Sequence, residues 1–179
     1  MNKTVICHFY NEQWMLPWFL NHHKQIFDHG VMIDYHSTDH SVDVIKDICP
    51  TWDIVTSRNP DFQADNIDTE VMDIERDISG WKIALNVTEQ LIGDYSILAD
   101  HSNQQLLIPS IFMIDVDHGT DQVADPNQPL YEQYKHGFSF KDGEPQFLER
   151  RARSMHNFEV FYPPHNTAEC MGPGRHFHT

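Results

Sequence analysis

From Thr4 to Thr56 the sequence alternates three short apolar runs with two helix-like segments, and this alternation constrains the fold more than any other feature. Thr4 to Phe9 is β-branched and apolar, reads as a buried strand, and is ended by Tyr10-Asn11-Glu12. Pro17 suits a first helical turn, and Trp14, Leu16, Trp18, Phe19, Leu20, Ile26 and Phe27 give apolar character to a helix from about Leu16 to Phe27. Asp28-His29-Gly30 stops that helix and turns the chain. Val31 to Tyr35 is the second strand. Ser41 caps a helix in which Val42, Ile45 and Ile48 fall at helical spacing, and Cys49-Pro50 ends it. Trp52 to Thr56 is the third strand. A β-α-β-α-β order implies parallel strands joined by right-handed crossovers. In such a sheet ligands bind beyond the strands' carboxyl ends, where Gly30 to Ser41 delivers Asp34, His36, Ser37, Thr38 and Asp39.

Beyond Pro60 the same reading continues. Ile67, Val71, Ile74 and Ile78 mark one face of an amphipathic helix, with Asp68, Glu70, Asp73, Glu75, Arg76 and Asp77 elsewhere around it, and Gly80 ends it. Trp81 to Val87 is a fourth strand. Leu91 to Leu98 fits helix and strand equally, and Asp100 to Gln105 is a loop. Ile108 to Val116 is a fifth strand with Pro109 at its start. Thr120 to Gly143 is a long polar excursion suited to a lid. Phe147 to His156 holds the basic cluster Arg150, Arg151 and Arg153, and Asn157 to Thr179 lacks a core pattern.

With 179 residues the chain is one domain on length priors, and it carries a formal net charge of −15. That balance argues against a duplex nucleic-acid partner, which needs a basic face. No run approaches the roughly 20 apolar residues of a membrane span. His8, Asn11 and Glu12 interrupt any signal-peptide core. Cys7, Cys49 and Cys170 are far apart and odd in number, so they read as reduced thiols of a cytoplasmic protein. Cys7 and His8 do not form a nucleophilic pair, because adjacent strand residues point to opposite faces.

Four polar clusters fall at expected strand ends: Asn11-Glu12, His36 to Asp39, Arg58-Asn59 and Asn86 to Glu89. Each alone is a solvated loop; their convergence on one sheet edge is the functional signal. Their neighbours add His8-Phe9-Tyr10-Asn11-Glu12, His22-His23, Asp28-His29-Gly30, Ser37-Thr38-Asp39-x-Ser41, Pro50-Thr51-Trp52, Ser57-Arg58-Asn59, Gly80-Trp81-Lys82, Leu85-Asn86-x-Thr88-Glu89 and Gly174-Arg175-His176. In this order the set resembles glycosyltransferases of the GT-A fold, in the neighbourhood of families 2 and 92. The resemblance implies an α/β fold, a GT-A-like (Rossmann-related) mainly parallel sheet flanked by helices, with an irregular C-terminal segment. It implies a nucleotide-sugar-binding core over 1–119 and a lid or acceptor-side extension over 120–179 within one domain. A further acceptor-binding segment after Gly174-Arg175-His176 in family members would make this chain a reduced version.

The implied activity is transfer of a sugar from a nucleotide-diphosphate donor to a glycan or other acceptor hydroxyl. Asn11, Glu12, Ser37, Thr38, Asp39 and Arg58 are then the nucleotide-binding residues. An Asp accepts two hydrogen bonds from a ribose or a uracil-like edge, which suits Asp39; its structural alternative is a helix cap. Such enzymes hold Mn²⁺ or Mg²⁺ on an Asp-x-Asp after the fourth strand, and the ion neutralises the departing diphosphate. The corresponding place here reads Asn86-Val87-Thr88-Glu89, so Asn86, Thr88, Glu89 and His176 are the candidate ligands, with Asp115 and Asp117 as a rival pair. Arg175 or the Arg150/Arg151/Arg153 cluster is an alternative diphosphate ligand. Glu89 and Asp115 are the candidate catalytic bases. Two alternatives stand beside the enzyme: a nucleotide-sugar- or glycan-binding protein of the same fold with impaired catalysis, and an acidic structural protein whose strand-end clusters are incidental.

Overall fold

The alternation of apolar runs and helices builds a parallel sheet, seen here in a computed structural model that describes residues 2–61, 63–95, 105–108, 112–113, 124–133, 137–138 and 153–156. The elements are β1 (Lys3–Phe9), α1 (Leu16–His23), β2 (His29–Asp34), α2 (Ser41–Ile48), β3 (Asp53–Thr56), α3 (Ala64–Asp77), β4 (Trp81–Ala84), β5 (Gln105–Ile108), β6 (Phe112–Met113), α4 (Leu130–Gln133), β7 (Gly137–Phe138) and β8 (Arg153–His156). The main sheet has the order β3-β2-β1-β4-β8-β5. β1 pairs in parallel with β2 from Thr4↔His29 to Phe9↔Asp34, and with β4 from Lys3↔Trp81 to Ile6↔Ala84. β3 runs parallel to β2. β8 is antiparallel to both β4 and β5, and β6 and β7 form a separate antiparallel ladder.

This order decides where the helices go. The chain steps outward from β1 to β2 to β3, then returns past β1 to lay down β4. Right-handed crossovers in opposite directions put their helices on opposite faces. On one face Val5, Cys7 and Phe9 of β1 pack with Leu16, Phe19 and Leu20 of α1, Ile45 of α2, and Trp52, Trp81 and Ile83. On the other, Ile6, Val31, Ile33 and Tyr35 pack with Ile67 and Val71 of α3. β1 is thus a central strand buried on both sides, the physical reason its sequence is apolar without polar alternation. Gly30 lets the Trp52 ring lie against β2: a Cβ there would sit 2.2 Å from a ring carbon.

Several boundaries differ from the sequence reading. α1 ends at His23, not Phe27. Gln25 N–H donates to His22 O at 3.3 Å and Ile26 N–H to His23 O at 3.0 Å, a tighter turn that swings Phe27 into the core. Ser41 does not cap α2 but is its first residue; its N–H donates to Asp39 Oδ1 at 2.9 Å, so the capping carboxylate lies two residues earlier. β4 stops at Ala84, although Leu85 N–H still donates to Ile6 O at 2.9 Å. A strand occupies Gln105–Ile108, so Gln105 is not in a loop and Ile108 ends a strand rather than starting one. Phe112–Met113 instead pairs with Gly137–Phe138. β8, from the region read as an extension, enters the main sheet between β4 and β5. Arg150, Arg151, Cys170, Arg175 and the segment 157–179 lie outside the described residues.

Among the described residues no helix is long and apolar enough to cross a membrane. Cys7 and Cys49 are buried thiols, and burial pushes Cys49 up to about 11, which keeps it protonated.

Glu75 of α3 and Lys82 of β4 are each 2% exposed. Lys82 Nζ donates to Glu75 O at 2.9 Å and to Ile78 O at 2.7 Å, closing the C-terminus of α3. Burial pushes the Glu75 carboxyl up to about 8, against the pull of the Lys82 charge. The folded chain therefore keeps a proton that the unfolded chain releases above its ordinary value of 4.5. The stability from this group is full below that value and declines as pH rises toward about 8. Glu75→Gln should gain stability over the parent by about 2–4 kcal/mol between about pH 5 and pH 9 in urea denaturation. Identical pH profiles for the two proteins would mean that Glu75 is already ionised in the fold.

Candidate functional site

The carboxyl ends of β1 and β2 leave backbone amides beyond the sheet ladder, and the two loops satisfy them mutually. The Asn11 N–H donates to Ser37 Oγ at 3.0 Å, while Asn11 Oδ1 accepts the Thr38 N–H at 2.8 Å and the Asp39 N–H at 3.3 Å. Glu12 N–H donates to Ser41 Oγ at 2.8 Å. Gln13 N–H donates to Asp39 Oδ2 at 3.1 Å, and Gln13 Oε1 accepts the His40 N–H at 3.0 Å. Asp34 Oδ1 accepts the Ser37 N–H at 2.9 Å, turning the chain at the end of β2. Asn11 and His36 both hold left-handed backbones, with φ of 54° and 57°. Asn tolerates that conformation; His pays of order 1 kcal/mol, held by the surrounding bonds.

Of the expected nucleotide-binding residues, this zip brings Asn11, Glu12, Ser37, Thr38 and Asp39 together. Asp39 takes the helix-end role and more: each carboxylate oxygen receives a backbone amide. Burial would raise it, but the Ser41 hydroxyl and the amides of Ser41 and Gln13 hold it below its ordinary range. Glu12 lies beside it and is raised, first by burial and then by the Asp39 charge. The rim therefore carries two adjacent carboxyl groups of unequal acidity. Tyr10 and Trp14, on the same loop, are 56% and 77% exposed.

Arg58 is placed differently. Its guanidinium pairs with Asp73 of α3, which also holds Arg76 at 3.1 Å. The β3-end loop is instead organised around Glu70, a 4% exposed residue of α3. Glu70 Oε2 accepts Ser57 Oγ–H at 2.6 Å, Asn59 Nδ2–H at 2.9 Å and Tyr35 O–H at 3.1 Å, and Oε1 accepts the Arg58 N–H at 2.8 Å. Burial alone would raise Glu70, yet these donors, Ser57 foremost, bring it below its ordinary value. A buried carboxylate thus joins α3 to the ends of β2 and β3.

After β4, Glu89 turns back on its own loop. Its Oε2 accepts the Asn86 N–H at 2.7 Å, and the Glu89 N–H donates to Asn86 O at 2.9 Å. Among the described residues Asn86 Oδ1 is buried without a hydrogen-bond partner, and Thr88 is exposed. One buried amide oxygen, one exposed hydroxyl and a carboxylate already bonded to backbone do not by themselves fit a divalent cation. Among the described residues no group of three His, Cys, Asp or Glu side chains is arranged to hold one. Asp115, Asp117 and His176 lie outside the described residues.

The sequence reading placed Glu70 off the apolar stripe, gave Ser41 a capping role rather than a bond to Glu12, and did not single out Gln13. Glu70 lies three residues after Ile67 and four before Ile74, so it falls on the apolar stripe of α3 rather than elsewhere around the helix. A lone acid on such a stripe is the signal that could have found it. Ser41 and Gln13 act through backbone partners more than 25 residues away, for which no local signal exists.

A doubly wound α/β sheet with its loops gathered at the carboxyl ends of β1 to β4 is the class of protein these observations define. No family model matches the chain, and no curated protein matches it. Among solved structures it is similar to the crystal structure of S. aureus TarS 1-349, at 18% identity over 68% of this chain, with a TM-score of 0.44. It spans 39% of that TarS chain. It is also similar to the crystal structure of HddC from Yersinia pseudotuberculosis, at 15% identity over 82% of this chain and 87% of that one, with a TM-score of 0.40. At these values the likenesses carry no residue roles.

The geometry ranks two carboxylates by what their loss exposes. Glu70→Ala leaves four donors around a buried hole and should cost about 3–4 kcal/mol in chemical denaturation. Asp39→Ala frees two amides near solvent and should cost about 1–2 kcal/mol. The reverse order would show that the rim zip, not the Glu70 hub, holds the loops.

Proposed function

We propose that this chain binds a nucleotide-diphosphate sugar at the carboxyl edge of β1 and β2 and transfers the sugar to an acceptor hydroxyl. The observation that carries the reading is the zip itself, which holds Glu12 and Asp39 side by side on a loop rim. That rim borders the point where the strand order reverses between β1 and β4, the place where open α/β sheets take ligands. Adjacent carboxylates offer acceptors to the two hydroxyls of a ribose. The sequence resemblance to GT-A glycosyltransferases supplies the reaction class. In this reading Asn11, Ser37 and Thr38 shape the rim, and Arg58 supports it through Asp73. Asp115 and Glu89 are the proposed bases; Mn²⁺ or Mg²⁺, the cofactor that the sequence resemblance implies, would need ligands beyond Asn86, Thr88 and Glu89.

A second reading has its own observation. Glu89 is engaged with the Asn86 amide, and the loop carries neutral residues where a cation site needs charge. A nucleotide-sugar-binding protein without transfer activity matches that loop.

Thermal shift with UDP, GDP and their sugars, with and without Mn²⁺, tests both. The transferase reading expects stabilisation that Asp39→Ala removes, together with Mn²⁺-dependent release of free sugar or transfer to a glycan. Stabilisation with no sugar release under any metal would favour the binding protein. A flat response to every nucleotide would end both readings.

A further inference from the structure

Helix α1 ends in two adjacent histidines whose rings meet edge to face at a centroid distance of 4.8 Å. Both reach the same residue. His22 Nε2 lies 2.7 Å from Leu91 O, and the Leu91 N–H donates to His23 Nε2 at 3.2 Å. His23 Nδ1 lies 2.9 Å from Phe19 O. These partners dictate the protons, because a carbonyl only accepts and an amide N–H only donates. His22 therefore carries a proton on Nε2. His23 carries one on Nδ1 and keeps a bare lone pair on Nε2. The His23 ring is fully buried, with Phe19 and Phe27 at centroid distances of 4.2 and 5.8 Å.

What Leu91 holds is the loop after β4, and that loop holds more of the chain. Gln90 Oε1 accepts the Leu130 N–H at 3.2 Å. α1 grips the same segment directly: Trp18 Nε1–H donates to Asp125 O at 3.1 Å and Asn21 Nδ2–H to Pro126 O at 3.2 Å. Tyr131 meets His22 edge-on at 5.9 Å.

We propose that His22 and His23 are positioning residues that latch the Asn86–Leu91 loop onto α1, and that a second proton on His23 releases the latch. The proton comes from solvent and occupies the Nε2 lone pair. Nε2 then becomes a donor facing the Leu91 N–H donor, and that hydrogen bond is lost. The titratable neighbours are His22 on the same helix and Tyr131 of α4 against His22. The Lys24 ammonium is turned to Asn21 Oδ1 at 2.7 Å. Burial, then the His22 charge, lowers His23 to about 3 from its ordinary 6.5. The closed latch thus resists a proton that the open latch accepts. Opening should grow about tenfold per pH unit as pH falls below 6.5, levelling near 3.

The test needs no ligand, so it is decided separately from the nucleotide reading. ¹⁵N NMR of the full chain should show His23 protonated on Nδ1 alone at neutral pH. Exchange of the Leu91 amide, corrected for intrinsic rate, should accelerate about tenfold per pH unit below 6.5 while amides of β1 do not follow it. His23→Gln, whose side-chain oxygen reaches the Nε2 position, should keep Leu91 protected and remove the pH dependence. His23→Asn is too short to reach Leu91 and should lose that protection at every pH. A proton on His23 Nε2, a pH-independent Leu91 opening, or a pH dependence that survives in His23→Gln would overturn the proposal. The wild-type titration decides it even if neither variant folds.

Discussion

Backbone amides that leave a sheet must find acceptors, and the loops of this protein depend on how that requirement is met. Asn11, Asp34, Asp39, Glu70 and Glu89 each place a side-chain oxygen on a backbone N–H at the end of a strand. An unpaired amide costs about 1–3 kcal/mol where it is buried and less where solvent reaches it, as on the β1–β2 rim. Part of the chain's acidity is therefore internal architecture rather than a solvated surface. Four acidic side chains and one amide act as fixed acceptors that hold successive loops in place.

The arrangement places different demands on the two sides of the sheet edge. Between β1 and β2 the loops bond to one another across the rim. Behind β3 the work is done by α3, through Glu70, a helix residue that belongs to none of the loops it joins. After β4 the loop is closed locally by Glu89 and anchored remotely by the histidines of α1. A ligand arriving at the strand-order reversal would meet one edge zipped by side-chain oxygens on backbone amides and another held by two imidazoles. The two edges of the crevice thus differ in what holds them: carboxylate, hydroxyl and amide oxygens of neighbouring loops on the first, imidazoles of α1 on the second.

The sequence made the four parallel strands and their helices readable because central parallel strands are buried on both faces and so appear as unbroken apolar runs. Val31 to Ile33 is such a run, and in Trp81 to Ala84 only Lys82 interrupts it. It was less readable where length or register was decided elsewhere. α1 stops at His23 and a tighter turn carries Phe27 into the core, and β5 takes its bounds from pairing with β8, more than 40 residues downstream. Of the candidate site, the residue clusters were visible and their partners were not. Ser37-Thr38-Asp39 marks a polar loop, but nothing local says that Asn11 bonds to it or that Arg58 turns to Asp73.

By itself the sequence determined the fold class, the strand-end location of the polar clusters and the acidic balance, since periodicity and composition are local properties. The tertiary structure decided which face each helix takes, because that follows from the return past β1 to β4. It also decided which carboxylates are engaged. Asp39 and Glu70 are held ionised and Glu75 is held protonated, although all three are ordinary acids in the chain. The physical reason is that a carboxyl group's state depends on donors and burial brought from distant segments, and only the folded chain brings them together.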